Sequence, residues 1–156
     1  MHHLLWSSVW SGIAAGAVER ARAFVRQVAR KGDGTLPPGA LQLTIARSTL
    51  LKLRTLVAAS VRAFEHHETD EQALRSVEFQ TQLNLTKVEA SELALAAVLS
   101  AARACGLSGY RNDSEFSTGR YLRDILSAPI MIHNDRILAN LTLASVVASV
   151  PAGLHD

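Results

Sequence analysis

A single cysteine, Cys105, rules out an internal disulfide and makes a reducing, cytoplasmic compartment the expectation. Aromatic residues make up only 5% of the chain, so Ala and Leu must supply most of any core, which favours helix over sheet. The net charge of +2 is too small to mark a nucleic-acid binder. No apolar run is long and charge-free enough to span a bilayer, so no membrane partner is expected. The start, Met1-His2-His3-Leu4-Leu5-Trp6, has neither the basic stretch nor the cleavage site of a signal peptide. Between Glu71 and Cys105 there is no glycine or proline, and hence no obvious helix breaker.

The residues that are present argue for an ordered globular chain. Hydrophobic residues reach 48% against 19% charged, well away from the composition of disorder. A length of 156 residues suits one domain, read as 1–156, which can bury roughly two thirds of its unfolded surface. No internal repeat or low-complexity tract divides it.

Apolar periodicity predicts five helices. The first runs from Leu4 to Lys31, with Leu5, Val9, Ile13, Ala17, Ala21, Phe24 and Val28 as its inner face. Gly32-Asp33-Gly34 stops it, and Pro37-Pro38 keeps the connection extended. The second runs from Gly39 to His66, facing inward through Ile45, Leu50, Leu53, Leu56, Val57, Val61 and Phe64. Asp70 caps the third, which is expected to continue unbroken from Glu71 to Cys105. Ser117 or Thr118 caps a short fourth helix that Pro129 ends after Ser127. Asn134 caps the last, through about Ser149. The expected fold is an all-α, up-and-down four-helix bundle with a short extra helix. Trp6 and Trp10, four apart on one helix face, are expected in the core or a subunit interface.

Three stretches have the spacing of a known family. Gly106-Leu107-Ser108-Gly109-Tyr110 is followed by Arg123-Asp124 and, further on, by Ile132-His133-Asn134. Upstream stands Lys87-Val88-Glu89-Ala90-Ser91-Glu92, and Gly12-Ile13-Ala14 leads into a helix that passes Phe24. In this order the segments resemble the C-terminal helical domain of acyl-CoA dehydrogenases. That family has a G-G-x-G-Y loop, an R-D helix, an E-G-T turn and an A-K-x-x-A-S-E stretch on its long helix.

The resemblance implies an FAD-dependent oxidoreductase part acting on an acyl thioester. It also implies a homo-oligomer, or a complex with a subunit that carries the N-terminal helical and β domains. Alone, such a part is expected to be inactive. Gly106, Ser108 and Gly109 would bring backbone close to the cofactor, because glycine removes the Cβ that blocks such an approach. Asn134, in the turn after the family's glutamate, would be a further cofactor contact at a helix N-terminus. Valine at Gly109 is expected to hinder that approach, with a modest stability loss if φ is negative.

The departures from the family pattern are as informative. The place of the catalytic glutamate falls on Ile132, which cannot accept a proton. The alternative place, on the first helix, falls near His2. The R-x-x-F-G segment is replaced by Arg26-Gln27-Val28-Ala29-Arg30-Lys31-Gly32, in which Arg26 or Arg30 could take over a phosphate contact. His133 is the candidate base, with the alternative of a structural residue in the loop before the last helix. The other readings are a non-catalytic scaffold or interaction subunit, and part of a related flavin-dependent monooxygenase. No metal is expected, because adjacent histidines diverge on a helix. Cys105 reads as an inert packed thiol.

Overall fold

The structure, a computed structural model, describes residues 2–147, which are all-α. Its elements are α1 (His2–Lys31), α2 (Ala40–His66), α3 (Glu71–Arg75), α4 (Val77–Cys105), α5 (Leu107–Tyr110), α6 (Gly119–Ile125), α7 (Ser127–Ile130) and α8 (Asn134–Val147). Three long helices form the body. Helix α4 packs on both α1 and α2, and α6 and α8 lie against α4. Leu4 of α1 and Phe64 of α2 meet Phe79 and Leu83 at the start of α4. Gly39, just before α2, abuts Ala104 at the end of α4. Thus α1 and α4 run in one direction and α2 in the other, with the shorter α8 as the fourth member.

The core is built from small residues. Ala14, Ala17 and Ala21 on α1 face Ala90, Ala94, Ala97 and Ala101 on α4, with Ala46 of α2 in the same cluster. Small side chains let backbones approach, so these helices pack through an alanine seam that Trp10, Leu53 and Ile125 fill at its edges. The inner face of α1 is therefore Leu4, Ser7, Trp10, Ala14, Ala17, Val18, Ala21 and Val25. Leu5 and Val9, expected inside, are exposed. Ile45, also expected inside, is exposed while Ala46 takes its place in the core. The two tryptophans part company: Trp10 is 1% exposed and Trp6 40%.

The helix ends follow local chemistry. After Lys31, Asp33 and Gly34 take positive φ and the Gly34 amide donates to Ala29 O at 2.8 Å, so the stop lies where expected. Asp70 accepts from the Ala73 amide at 2.9 Å, as an N-cap does.

The expected unbroken third helix is two. Ser76 adopts φ −60°, ψ 150° and its hydroxyl accepts from the Phe79 amide, so it ends α3 and caps α4. The α4 that remains spans 29 residues, about 44 Å.

Nor does Pro129 end the fourth helix at Ser127. Helix α6 stops at Ile125, and Pro129 sits inside the next turn, α7, near its start where a missing amide costs little. The predicted end of the last helix at Ser149 lies outside the described residues.

Candidate functional site

The one fully buried ammonium among the described residues organises the region where α7 gives way to α8. Lys87 is 1% exposed on α4. Its Nζ donates to Met131 O at 2.6 Å, Asn134 Oδ1 at 2.7 Å and Ala128 O at 3.3 Å, using all three of its donors. The ring of Trp10 lies 5.6 Å away, within cation–π range. Burial lowers the lysine's pKa, and the charge of Glu92 works the other way. Each hydrogen bond from such a charged donor contributes on the order of 1.5–3 kcal/mol, which offsets the cost of taking the ammonium out of water.

Asn134 does not cap α8, as its residue type suggested. It is the first residue of the helix, and its side chain turns inward. Its Nδ2 donates to Ser91 Oγ at 2.9 Å and Glu92 Oε1 at 2.8 Å while its Oδ1 receives Lys87. His133 stands at the N-cap place instead, and its carbonyl accepts the first intrahelical bond, from the Ile137 amide at 3.1 Å. The amide side chain of Asn134 is thus spoken for, and only its main chain remains for a ligand.

Between Met131 and Asn134 the backbone turns through two left-handed residues, Ile132 (φ 62°) and His133 (φ 53°). For residues with a Cβ this costs on the order of 1–2 kcal/mol each, and a β-branched isoleucine is among the least suited. Both side chains are exposed, Ile132 at 46%, so neither is held there by burial. The turn brings Ile132 and the candidate base His133 to the surface side by side.

The glycine loop is ordered differently from the expectation. Gly106 has φ 54° and ψ −138°, a conformation closed to residues with a Cβ, and open space surrounds it. Leu107 to Tyr110 form the single turn α5, with Leu107 and Tyr110 exposed and Ser108 half-buried. Gly109 is buried. A Cβ there would meet Cys105 Cβ at 2.6 Å, and its carbonyl accepts both the amide (2.8 Å) and the hydroxyl (2.9 Å) of Thr118. Its lack of a side chain is used to seat the loop on α4. Thr118 therefore stands at the N-cap place of α6 with its hydroxyl engaged elsewhere.

A basic groove opens along the second half of α1. Arg22, Arg26 and Arg30 recur every four residues on one face, joined by Gln27 and Lys31, with Glu115 and Phe116 of the loop before α6 completing the lining. Arg22 is paired with Glu19, but Arg26, Arg30 and Lys31 make no salt bridge among the described residues. Arg20 reaches the carbonyl of Glu115 and ties the loop before α6 to α1.

The remaining candidates are structural. Burial pushes the Cys105 thiol up to about 11, so it is no nucleophile. His66 and His67 stack edge-on, and His67 packs on Phe79. No group of three or more His, Cys, Asp or Glu side chains with metal-binding geometry occurs among the described residues. No described helix is long and apolar enough to cross a membrane.

The all-α fold agrees with what comparison with known proteins finds. Residues 4–146 match the family model of the acyl-CoA dehydrogenase C-terminal domain. The chain belongs to this family. A solved structure of the flavoprotein nitroalkane oxidase superposes with a TM-score of 0.71 at 22% identity, over 90% of this chain and 33% of that one. At that identity the likeness shows the fold, here a third of a longer flavoprotein. No curated protein matches the chain. The family match thus runs over nearly all of the described chain.

Sequence reasoning missed His3. Its Nδ1 is buried with no hydrogen-bond partner among the described residues, and burial followed by the nearby Lys87 charge lowers its pKa below 6.5. A histidine whose folded pKa lies below its unfolded value favours the folded state as the neutral form. That contribution is complete above about pH 6.5 and is lost as pH falls through it towards the lowered value. Stability measured by denaturant titration should therefore fall between pH 7 and pH 5. His3→Phe should flatten that slope, and an unchanged slope in the variant would assign the effect elsewhere.

Proposed function

We propose that the chain is the C-terminal domain or subunit of an FAD-dependent, acyl-CoA dehydrogenase-like oxidoreductase acting on an acyl thioester. It works with a partner that carries the N-terminal helical and β domains. The observation that carries this reading is the row Arg22, Arg26, Arg30 and Lys31 in a chain of this family. Three of these cations have no salt-bridge partner among the described residues. Cations unpaired along one groove suit a diphosphate, and guanidinium groups bind phosphate in bidentate fashion. The groove lies at the C-terminal end of α1, where the helix dipole alone would repel an anion, so the side chains must supply the attraction. Arg26 and Arg30 then replace the arginine of the family's absent R-x-x-F-G segment.

The residues present fit the anionic end of FAD and not its ring. The grooves of the described chain are open ones, and an isoalloxazine needs walls on both faces. Bound FAD supplies the two-electron acceptor for thioester oxidation. Within this chain, Gly106 and Ser108 present the loop main chain: the Leu107 and Ser108 amides have no acceptor among the described residues. Gly109 shapes that loop from beneath, and Asn134 can contribute only its main chain. His133 places an imidazole on the exposed turn, able to accept the proton that thioester oxidation releases. Exposed apolar residues Leu5, Trp6 and Val9 on α1 and Leu138, Leu143 and Val146 on α8 are surfaces for the partner or for a second copy.

The chain purified alone is expected to be colourless and inactive. Co-expressed with a polypeptide carrying the N-terminal helical and β domains, it should purify as a yellow complex with thioester-dependent flavin reduction. A stoichiometric flavin spectrum from the chain alone would overturn the need for a partner. In the complex, His133→Ala should leave flavin bound and abolish reduction, and unchanged turnover would return His133 to a structural role.

A further inference from the structure

The left-handed pair Ile132–His133 is tied down on both of its flanks by one side chain. Lys87 Nζ holds Met131 O and Ala128 O on the way into the turn and Asn134 Oδ1 on the way out. Asn134 cannot swing away, because Ser91 Oγ and Glu92 Oε1 accept from its Nδ2 and fix which end of the amide faces the lysine. No carboxylate touches the ammonium directly. Its direct partners are three neutral oxygens, and two of the three residues that supply them, Met131 and Asn134, flank the turn. An apolar side chain would fill the same space beside Trp10 without burying a charge. What the charge adds is the tie between Met131 and Asn134. Neither glycine nor asparagine, the residues that take positive φ readily, stands at 132 or 133.

We propose that Lys87 is a positioning residue that holds Ile132 and His133 in the left-handed conformation and so fixes where side chains at these two places point. That the turn faces a substrate rests on the function proposed above. The tie itself does not, and it is tested on the chain without flavin, so the two can fail separately.

The test is a double-mutant cycle in guanidinium unfolding, with Ile132→Gly as the probe of strain. Where the turn is held left-handed, Ile132→Gly should raise the folding equilibrium constant about fivefold, because glycine carries no left-handed penalty. In Lys87→Met, whose turn is free to relax, the same change should give little or no gain. The entropy that glycine adds to the unfolded chain is common to both backgrounds and cancels.

Equal gains in the two backgrounds would overturn the proposal. Should Lys87→Met fail to fold, Asn134→Ala cuts the exit tie, with the Ser91 and Glu92 bonds, and leaves the entry ties at Ala128 and Met131, so the gain from Ile132→Gly should then shrink to roughly half. A full fivefold gain there would count against the tie. In folded Lys87→Met, backbone scalar couplings and Cα shifts of Ile132 and His133 should move towards right-handed values. Shifts that stay left-handed would overturn the proposal even if stability falls.

Discussion

Replacing Gly109 by valine is expected to lower the free energy of unfolding by about 2–4 kcal/mol, from overpacking together with disturbed hydrogen bonds. Gly109 is not among the positive-φ glycines, so no dihedral penalty arises. The cost is steric. Its new Cβ would lie 2.6 Å from Cys105 Cβ and 3.1 Å from Ala102 O, both on α4. Relief requires lifting the loop, and the loop is held by the two bonds from Thr118 to the Gly109 carbonyl. The modest loss foreseen from a negative φ alone is therefore too small. Any effect on cofactor retention would follow from the displaced loop as a whole. Gly106 inverts the case: a Cβ there has open space, and the penalty for Gly106→Ala comes from φ 54° instead. Denaturant titration decides the first variant, and a loss below about 1 kcal/mol would show the loop shifting freely on α4.

Much of the fold was legible because helix punctuation acts locally. The stop at Gly32–Gly34 and the cap at Asp70 rest on backbone freedom and one short hydrogen bond, both encoded in adjacent residues. Ser76 was equally local, but it was hidden in a run without glycine or proline. Only its hydroxyl, facing the amide of Phe79, signals the break.

The inner face of α1 was misread for a different reason. Ala17 and Ala21 were placed inward correctly, but ranking by size also favoured Leu5 and Val9, whereas the close alanine seam buries Ala14 as well and leaves those two bulkier residues outside. In a chain this poor in aromatics, size is a weak guide to the core.

The candidate site was legible by spacing and illegible by conformation. The motifs grouped Ile132, His133 and Asn134 just before the last helix, where the structure has a turn. Nothing in their residue types announces two left-handed residues, because isoleucine is a poor choice for that region. Lysine at 87 reads as solvated by default. Its helical neighbours Leu83, Ala90, Ala94 and Ser91 are all buried, and that register was the available signal that position 87 faces inward. A buried lysine then needs acceptors, and the same network claims Asn134, the residue whose type suggested a cap.

Trp10→Ala should cost about 3–5 kcal/mol, the range for a fully buried tryptophan, while Trp6→Ala should stay within about 0.5 kcal/mol. The two are four residues apart on one helix, so helix propensity is nearly common to both changes. What differs is that Trp10 belongs to the main core cluster with Ala14 and Ala17, whereas Trp6 is 40% exposed and belongs to no buried cluster. Losing the Trp10 indole would leave a cavity beside the Lys87 ammonium. It would also remove the ring face 5.6 Å from that charge. The cavity lies next to a charged group, so water would enter it more readily than an all-apolar void, which limits the loss. The effects of Trp10→Ala and Lys87→Met should therefore be non-additive, since each changes the surroundings of the other. Chemical denaturation of the three variants supplies the measurement. Similar losses for Trp6→Ala and Trp10→Ala would mean that α1 does not present Trp10 to the core. The alanine seam and the support beneath Lys87 would then both have to be redrawn.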